Sequence, residues 1–326
     1  MNYSFHKFYL LAFIITTLIV FILSSGTTYA APTNKIAIFY PKAKEPYRSI
    51  YQEIISGSDS ASLELKNNIN FEKFIIDKNF DSEVIANQLI ENNIRKVIVL
   101  GHSGWKLAKK ISKRLLPNGE KAFHVVSGAL PISPNGISGI SLITDPSYLF
   151  NYLKHVAPKV KRIHVAYSKR STWLIELAKV AAQQQGLTLQ LKHVANTKEA
   201  IDFYQQLFDS AVSNQDAIWL PLDRISSNDK VTLPFVLKKA WSKEVVVFSS
   251  KPSHAKRGAL FSTYPDNFSL GEHLFTMVQE LEKQPDQKDF SPLQSTLLAV
   301  NLRTAAHLGL KYSAKQQQLF KLTFPK

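Results

Sequence analysis

Residues 96–111 read KVIVLGHSGWKLAKKI. The first five residues are apolar and largely β-branched after the lysine, which is the composition of a strand buried on both faces. A short turn with two glycines follows, and the segment 105–116 then has the pattern of an amphipathic helix. The unit is therefore strand, glycine turn, helix. Working outward, the same unit recurs on both sides. Strands are expected at 36–40, 71–76, 122–126 and 137–142, with helices at 47–55 and 82–92 between them. In the first of these helices Ile50, Ile54 and Ile55 fall at helical spacing. After Asp145-Pro146 the alternation restarts, with helices at 147–156, 172–185, 198–212, 230–241 and 268–283. Strands are expected at 162–167, 187–194, 216–220, 244–248 and 258–262. A polar linker at 283–292 precedes a closing strand at 297–302 and helix at 303–308.

The whole chain has 326 residues, of which 45% are hydrophobic and 20% charged, a globular composition too long for one small core. Two α/β lobes of roughly 120 to 150 residues are expected, each built on a parallel sheet. Tandem parallel sheets bring the carboxyl ends of their strands to a shared cleft, where open α/β sheets hold ligands. The chain contains no cysteine, which excludes thiol nucleophiles, disulfides, iron–sulfur clusters and cysteine-based zinc sites. Its nine histidines are dispersed, with no metal-ligand spacing, and phosphate-loop and dinucleotide fingerprints are absent, so no metal or cofactor is expected.

Residues 1–30 carry one lysine and no acid, run apolar from 8 to 23, and end on Thr28-Tyr29-Ala30. This is the pattern of a secretory signal peptide cleaved near Ala30, with an uncleaved anchor as the alternative. The expected location is the periplasm. The formal net charge is +15. Basic runs at 106–114, 159–162 and 251–257 read as a solvated surface, or as an attraction for anionic lipid, cell wall or an acidic ligand. Nothing resembles a nucleic-acid-binding module.

Four spaced motifs carry a family resemblance: NGISGIS at 135–141; AIWLPLD at 217–223; GALFS at 258–262 with Leu270-Gly271; and Val300-Asn301-Leu302 with Thr304-Ala305-Ala306 and Leu308-Gly309-Leu310. Together they resemble the exported substrate-binding proteins of ABC transporters, in particular the tryptophan- and tyrosine-binding type. The chain departs from that pattern at Ser127-Gly128-Ala129-Leu130-Pro131, where the family usually has Asp-Pro. The resemblance implies a type I periplasmic binding protein: two Rossmann-like parallel-sheet lobes joined by a multi-strand hinge. Lobe 1 is expected at 31–140, with 266–290 returning to it, and lobe 2 at 141–265, with 291–326 returning to it. The implied function is capture of a small molecule, an amino acid or related polar or aromatic compound, by a monomer that presents it to an ABC permease. A membrane sensor or histidine kinase is the alternative partner.

The chain's own residues supply a candidate site at strand ends and helix starts, where backbone N–H groups and the helix dipole favour a carboxylate or phosphate. In lobe 1 these are Tyr40, Ser103, Gly104, Ser127 and Gly128. In lobe 2 they are Tyr167, Ser168, Ser171, Thr172, Asp223, Ser249 and Tyr264. Asp223 is expected to face a ligand ammonium group, since a buried carboxylate needs a cation. Each serine has the alternative of an ordinary helix cap or turn residue. A rival reading takes Gly-His-Ser-Gly-Trp at 101–105 as a hydrolase nucleophile elbow, with Ser103 as nucleophile and His254, His273 or His307 as base. The elbow motif fails at its last position, where Trp105 replaces glycine, and no catalysis is expected.

Overall fold

The structure, a computed structural model, describes residues 35–64, 69–284 and 289–325; the expected signal peptide lies outside them. Six strands form a first sheet: β1 (Lys35–Pro41), β2 (Asn70–Ile76), β3 (Lys96–Leu100), β4 (His124–Leu130), β5 (Ser138–Thr144) and β11 (Phe290–Leu293). Their order is β11-β5-β4-β3-β1-β2 and every pairing is parallel. Seven strands form a second sheet: β6 (Arg162–Tyr167), β7 (Thr188–His193), β8 (Asp216–Leu220), β9 (Val246–Ser249), β10 (Phe261–Pro265), β12 (Thr296–Asn301) and β13 (Phe320–Phe324). Their order is β13-β12-β10-β9-β8-β6-β7, parallel except where β12 runs against β10. The fold is thus a two-lobe α/β architecture of the type I periplasmic binding protein class.

The helices are α1 (Tyr47–Glu64), α2 (Ser82–Glu91), α3 (Gly101–Ile111), α4 (Pro146–Val156), α5 (Thr172–Gln184), α6 (Thr197–Ser210), α7 (Thr232–Lys243), α8 (Ser253–Arg257), α9 (Asn267–Lys283), α10 (Leu302–His307) and α11 (Ala314–Gln317). Several boundaries differ from the sequence expectation. Helix α3 begins directly on Gly101, four residues before the expected start, because the glycine adopts φ +70° and turns the chain straight from strand into helix. Strand β4 continues past Val126 to Leu130. The strand expected at 258–262 begins at Phe261, since Ser253–Arg257 forms the short α8 and Gly258 ends it with φ +122°. The expected linker contains β11, which pairs beside β5 at the edge of the first sheet. The chain therefore leaves the first sheet after Thr144 rather than at 141, and again after Leu293 rather than at 291.

Alternation explains the first lobe. Ala37, Phe39, Val97, Val99 and Val125 pack with Ala86, Leu89, Leu107 and Ile111 of α2 and α3 on one face. Ile36, Ile38, Ile98, Leu100 and Val126 pack with Ile54, Leu270, Leu274 and Val278 of α1 and α9 on the other. Both faces are covered, as a parallel sheet requires. Helix α9 returns from the second sheet and crosses α1 at glycines: a Cβ built on Gly57 or Gly271 would lie 1.9 Å from the carbonyl oxygen of Phe268 or Ile54, respectively. Ser58 Oγ donates to Gly271 O at 2.9 Å in the same crossing. The second lobe is held by an aromatic centre in which Phe150 meets Trp219 edge-on at 5.5 Å and Phe248 stacks on Phe261 at 5.2 Å. Residues 35–326 form one compact unit.

Three segments cross between the sheets and are tied to one another. Asp145 N–H donates to Leu293 O at 2.8 Å, and Asp266 N–H donates to Ser295 O at 3.0 Å. Asp145 and Asp266 also cap α4 and α9 through their side chains. Strands β5 and β10 both leave their sheets at the carboxyl edge, so these edges are turned toward the crossings.

Candidate functional site

In the first lobe the candidate site centres on the start of α3. Its N-cap, Leu100, provides no side-chain cap, so the first-turn N–H groups keep their donor capacity. Ser103, in that first turn, is 8% exposed, and its hydroxyl makes no hydrogen bond among the described residues. The Tyr51 hydroxyl, which the sequence reading missed, crowds the same turn: a Cβ built on Gly101 would lie 2.6 Å from it. Burial pushes the Tyr51 phenol upward in pKa, with Tyr47 adding to the effect. Tyr40 is half-buried near the end of β1, which pairs with β3.

The other expected residues of this lobe serve packing. Gly104 faces Val99 at a built-Cβ distance of 3.0 Å. Ser127 and Gly128 lie inside β4 rather than in a loop after it. The space beside Gly128 is filled by Leu274, and Ser127 backs onto Gly139. Trp105 lies beneath Lys109, whose Nζ sits 3.8 Å from the ring centroid, and the Trp105 Nε1 is buried without a partner.

In the second lobe, Ser168, Ser171 and Asp223 come together. Asp223 Oδ2 accepts from Ser168 N–H (2.8 Å), Ser168 Oγ (2.7 Å) and Ser171 Oγ (2.8 Å), and Oδ1 accepts from Ile225 and Ser226 N–H at 2.9 and 3.2 Å. Burial raises its pKa, but these donors, led by the Ser168 N–H, outweigh burial and hold it below the usual carboxylate range. The expected need for a ligand cation is therefore removed: protein donors already satisfy this charge. Beside it, the Ser226, Ser227 and Thr232 hydroxyls are buried without a partner. The run of serines after Asp223 was the available signal for this cluster; only the fold shows that these hydroxyls are unpaired.

Tyr167 ends β6 with its ring 5.5 Å from that of His193, and Thr172 is exposed at the start of α5. Tyr264 is half-buried in β10 at the second crossing, and burial raises its phenol, with Asp266 adding to the effect. Ser249 is fully buried and lies 2.8 Å from His254 Nδ1, while His254 Nε2 lies 2.8 Å from Asp229 Oδ1. His254 is thus engaged with Ser249 and Asp229, His273 with Ser295 and His307 with Trp241. None of the three is hydrogen-bonded to Ser103 among the described residues.

Two surface hollows flank α9, one lined by Ile140, His273, Met277 and Leu293, the other by Ser138, Glu280, Leu281 and Asp289. They follow the outer strand β11 and contain none of the expected site residues. Among the described residues no group of three or more His, Asp or Glu side chains is placed to hold a metal, and no helix is long and apolar enough to cross a membrane.

The family model for ABC transporter substrate binding protein matches residues 132–320. The chain belongs to this family. Its members form a substrate-binding, non-catalytic class that binds small molecules and typically partners with ABC permeases outside the cytoplasm. The ligand-free, open structure of a substrate-binding protein with adhesive properties from Clostridium difficile superposes with a TM-score of 0.56 at 16% identity, covering 86% of this chain and 96% of that one. A Streptococcus pneumonia ABC domain in complex with L-Trp aligns at TM-score 0.47 and 18% identity, covering 89% of this chain and 100% of that one. No curated protein matches the sequence. The Clostridium difficile likeness extends the shared fold into the part of the first lobe that precedes residue 132, where the family match begins.

Proposed function

We propose that this substrate-binding protein closes its lobes on a small carboxylate with an aromatic or apolar body, an amino acid or related compound, and delivers it to an ABC permease. The observation that carries the reading is the uncapped start of α3, with the buried, unpartnered Ser103 and the Tyr51 hydroxyl beside it. Free N–H groups at a helix start suit an oxyanion, and Ser103 adds a donor. Tyr40, Tyr167 and Tyr264, near the carboxyl ends of their strands, supply ring surfaces for the ligand body. Ser226, Ser227 and Thr232 keep hydroxyl capacity for an amino group in the second lobe. A ligand touching both lobes favours the closed state by its additional contacts.

The test is a thermal-shift screen with amino acids, aromatic carboxylates, nucleosides, purines and sugars. A ligand at about 100 times its Kd stabilises the fold by about 2.7 kcal/mol. The reading expects shifts from carboxylates that Ser103→Ala reduces. Stabilisation by neutral sugars or nucleosides alone would overturn it.

A further inference from the structure

The positive charge is segregated. Segments 146–265 and 294–326, whose strands build the second sheet, carry 22 Lys plus Arg against 8 Asp plus Glu. Segments 35–145 and 266–293 carry 17 of each. All the net charge beyond the first 34 residues therefore belongs to one lobe.

Within that lobe, a cationic group gathers at the end remote from the crossings. Lys159 and Lys161 precede β6, and Lys243 precedes β9, at the end where these strands begin. Lys238 is one turn earlier on α7, Arg303 lies 5.8 Å from the Trp241 ring centroid, and Lys311 follows α10. Lys311 is fixed to this end because the next residue, Tyr312, donates its hydroxyl hydrogen to Val156 O at the end of α4. The ion pairs of this lobe are Arg162 and His164 with Asp216, Lys179 with Glu176, Lys198 with Asp202, and Lys251 and His254 with Asp229. Among the described residues none of these ion pairs uses the six cations. The exposed acid nearest in sequence is Glu244, beside Lys243.

Beside Arg303, and on the same helix as Lys238 and Lys243, is an aromatic side chain that packing holds at the surface. Trp241 is 40% exposed, and its ring stacks on His307 at 3.7 Å and 4°. His307 Nε2 also lies 2.9 Å from Trp241 O, fixing both residues. Lysines and arginines around a rigid exposed indole match a bilayer interface, where cations meet lipid phosphates and indole sits at headgroup level. The scarcity of acids in this lobe, 8 against 22 cations, suits the uniformly negative surface of an anionic bilayer.

We propose that this end of the second lobe docks on a bilayer containing anionic lipid, leaving the strand ends at the crossings free. The test is flotation of residues 35–326 with phosphatidylglycerol–phosphatidylethanolamine vesicles and with phosphatidylcholine vesicles, without ligand. The expected result is binding to the anionic vesicles at about 0.05 M salt that weakens strongly at about 0.3 M, with little binding to phosphatidylcholine. Lys238→Gln/Lys243→Gln/Lys311→Gln lowers anionic-vesicle binding about a hundredfold, and Trp241→Gln lowers it further. Lys106→Gln/Lys110→Gln/Lys113→Gln removes equal charge from the first lobe and is expected to leave binding intact. Equal loss in both triple variants, equal binding to neutral vesicles, or retention on polyglutamate without vesicle binding would each overturn the proposal. Circular dichroism checks that all variants are folded. The assay contains no ligand, so its outcome is independent of the carboxylate reading.

Discussion

Thr144 Oγ1 and Thr263 Oγ1 lie 2.9 Å apart, both buried, where β5 and β10 leave their sheets. This hydroxyl pair joins two of the three crossings, so it sits where any rotation between the lobes must be absorbed. Replacing one partner leaves the other hydroxyl buried and unpaired, at a cost of about 1–3 kcal/mol. Thr144→Val and Thr263→Val should each destabilise the fold in urea titrations. The double variant should recover part of that loss, since neither orphan remains. Strict additivity would show that the pair does not couple the crossings.

Two carboxylates predict an acid limb of stability. Asp216 is 1% exposed; burial raises its pKa, but Arg162 at 2.7 Å, the Val212 N–H and His164 outweigh this and hold it at about 2. Asp223 is likewise lowered by its serine donors. A carboxylate whose folded pKa is depressed contributes stability that is complete above its unfolded value near 3.9 and lost as pH falls toward the folded value. For Asp216 the contribution is about 2–3 kcal/mol. Denaturant midpoints measured from pH 5 down to 2 should fall steeply, and Asp216→Asn should flatten the slope. An unchanged slope would count against this ion-pair assignment.

The alternation of strands and helices was legible because the central strands of the first sheet are buried on both faces, which leaves unbroken runs such as IAIFY and KVIVL. β11 (FSPL) was not, since an edge strand of four residues with a proline has neither length nor period. Asp223 was visible as a carboxylate after a strand, but its five donors come mainly from Ser168 and Ser171, more than 50 positions away in sequence. Ser127 and Gly128 were misplaced because glycine and serine usually signal a turn, whereas here small side chains admit Leu274 and Gly139 against the strand.

The crossing of α1 and α9 depends on having no side chain at two positions. A methyl at Gly271 would meet Ile54 O and one at Gly57 would meet Phe268 O. Neither carbonyl can move without displacing its helix, so Gly57→Ala and Gly271→Ala should each cost about 1–3 kcal/mol by overpacking. Because α9 is the helix that returns to the first sheet, hydrogen exchange in both variants should rise first in α1 and α9. Wild-type protection there would show that the helices separate without penalty.

His254 predicts a second pH limb, above the carboxylate one. Its ring is fully buried; burial lowers its pKa, and the nearby Lys251 and Arg257 lower it further against the opposing pull of Asp229. The ring pairs through Nε2 with Asp229 and through Nδ1 with the Ser249 hydroxyl, which joins the loops after β8 and β9. In the unfolded chain the imidazole takes up a proton near pH 6.5, whereas the folded ring does so only at lower pH. Unfolded molecules bind more protons in that interval, so stability is complete above about 6.5 and declines as pH falls. His124 is also lowered, by burial first and then by Arg95, so the two rings need separating. Urea midpoints for the wild type, His254→Asn and His124→Asn between pH 7.5 and 5 make that separation. The His254 variant should lose more stability at pH 7.5 and show a shallower decline; a decline abolished only by His124→Asn would assign the limb to the first lobe instead.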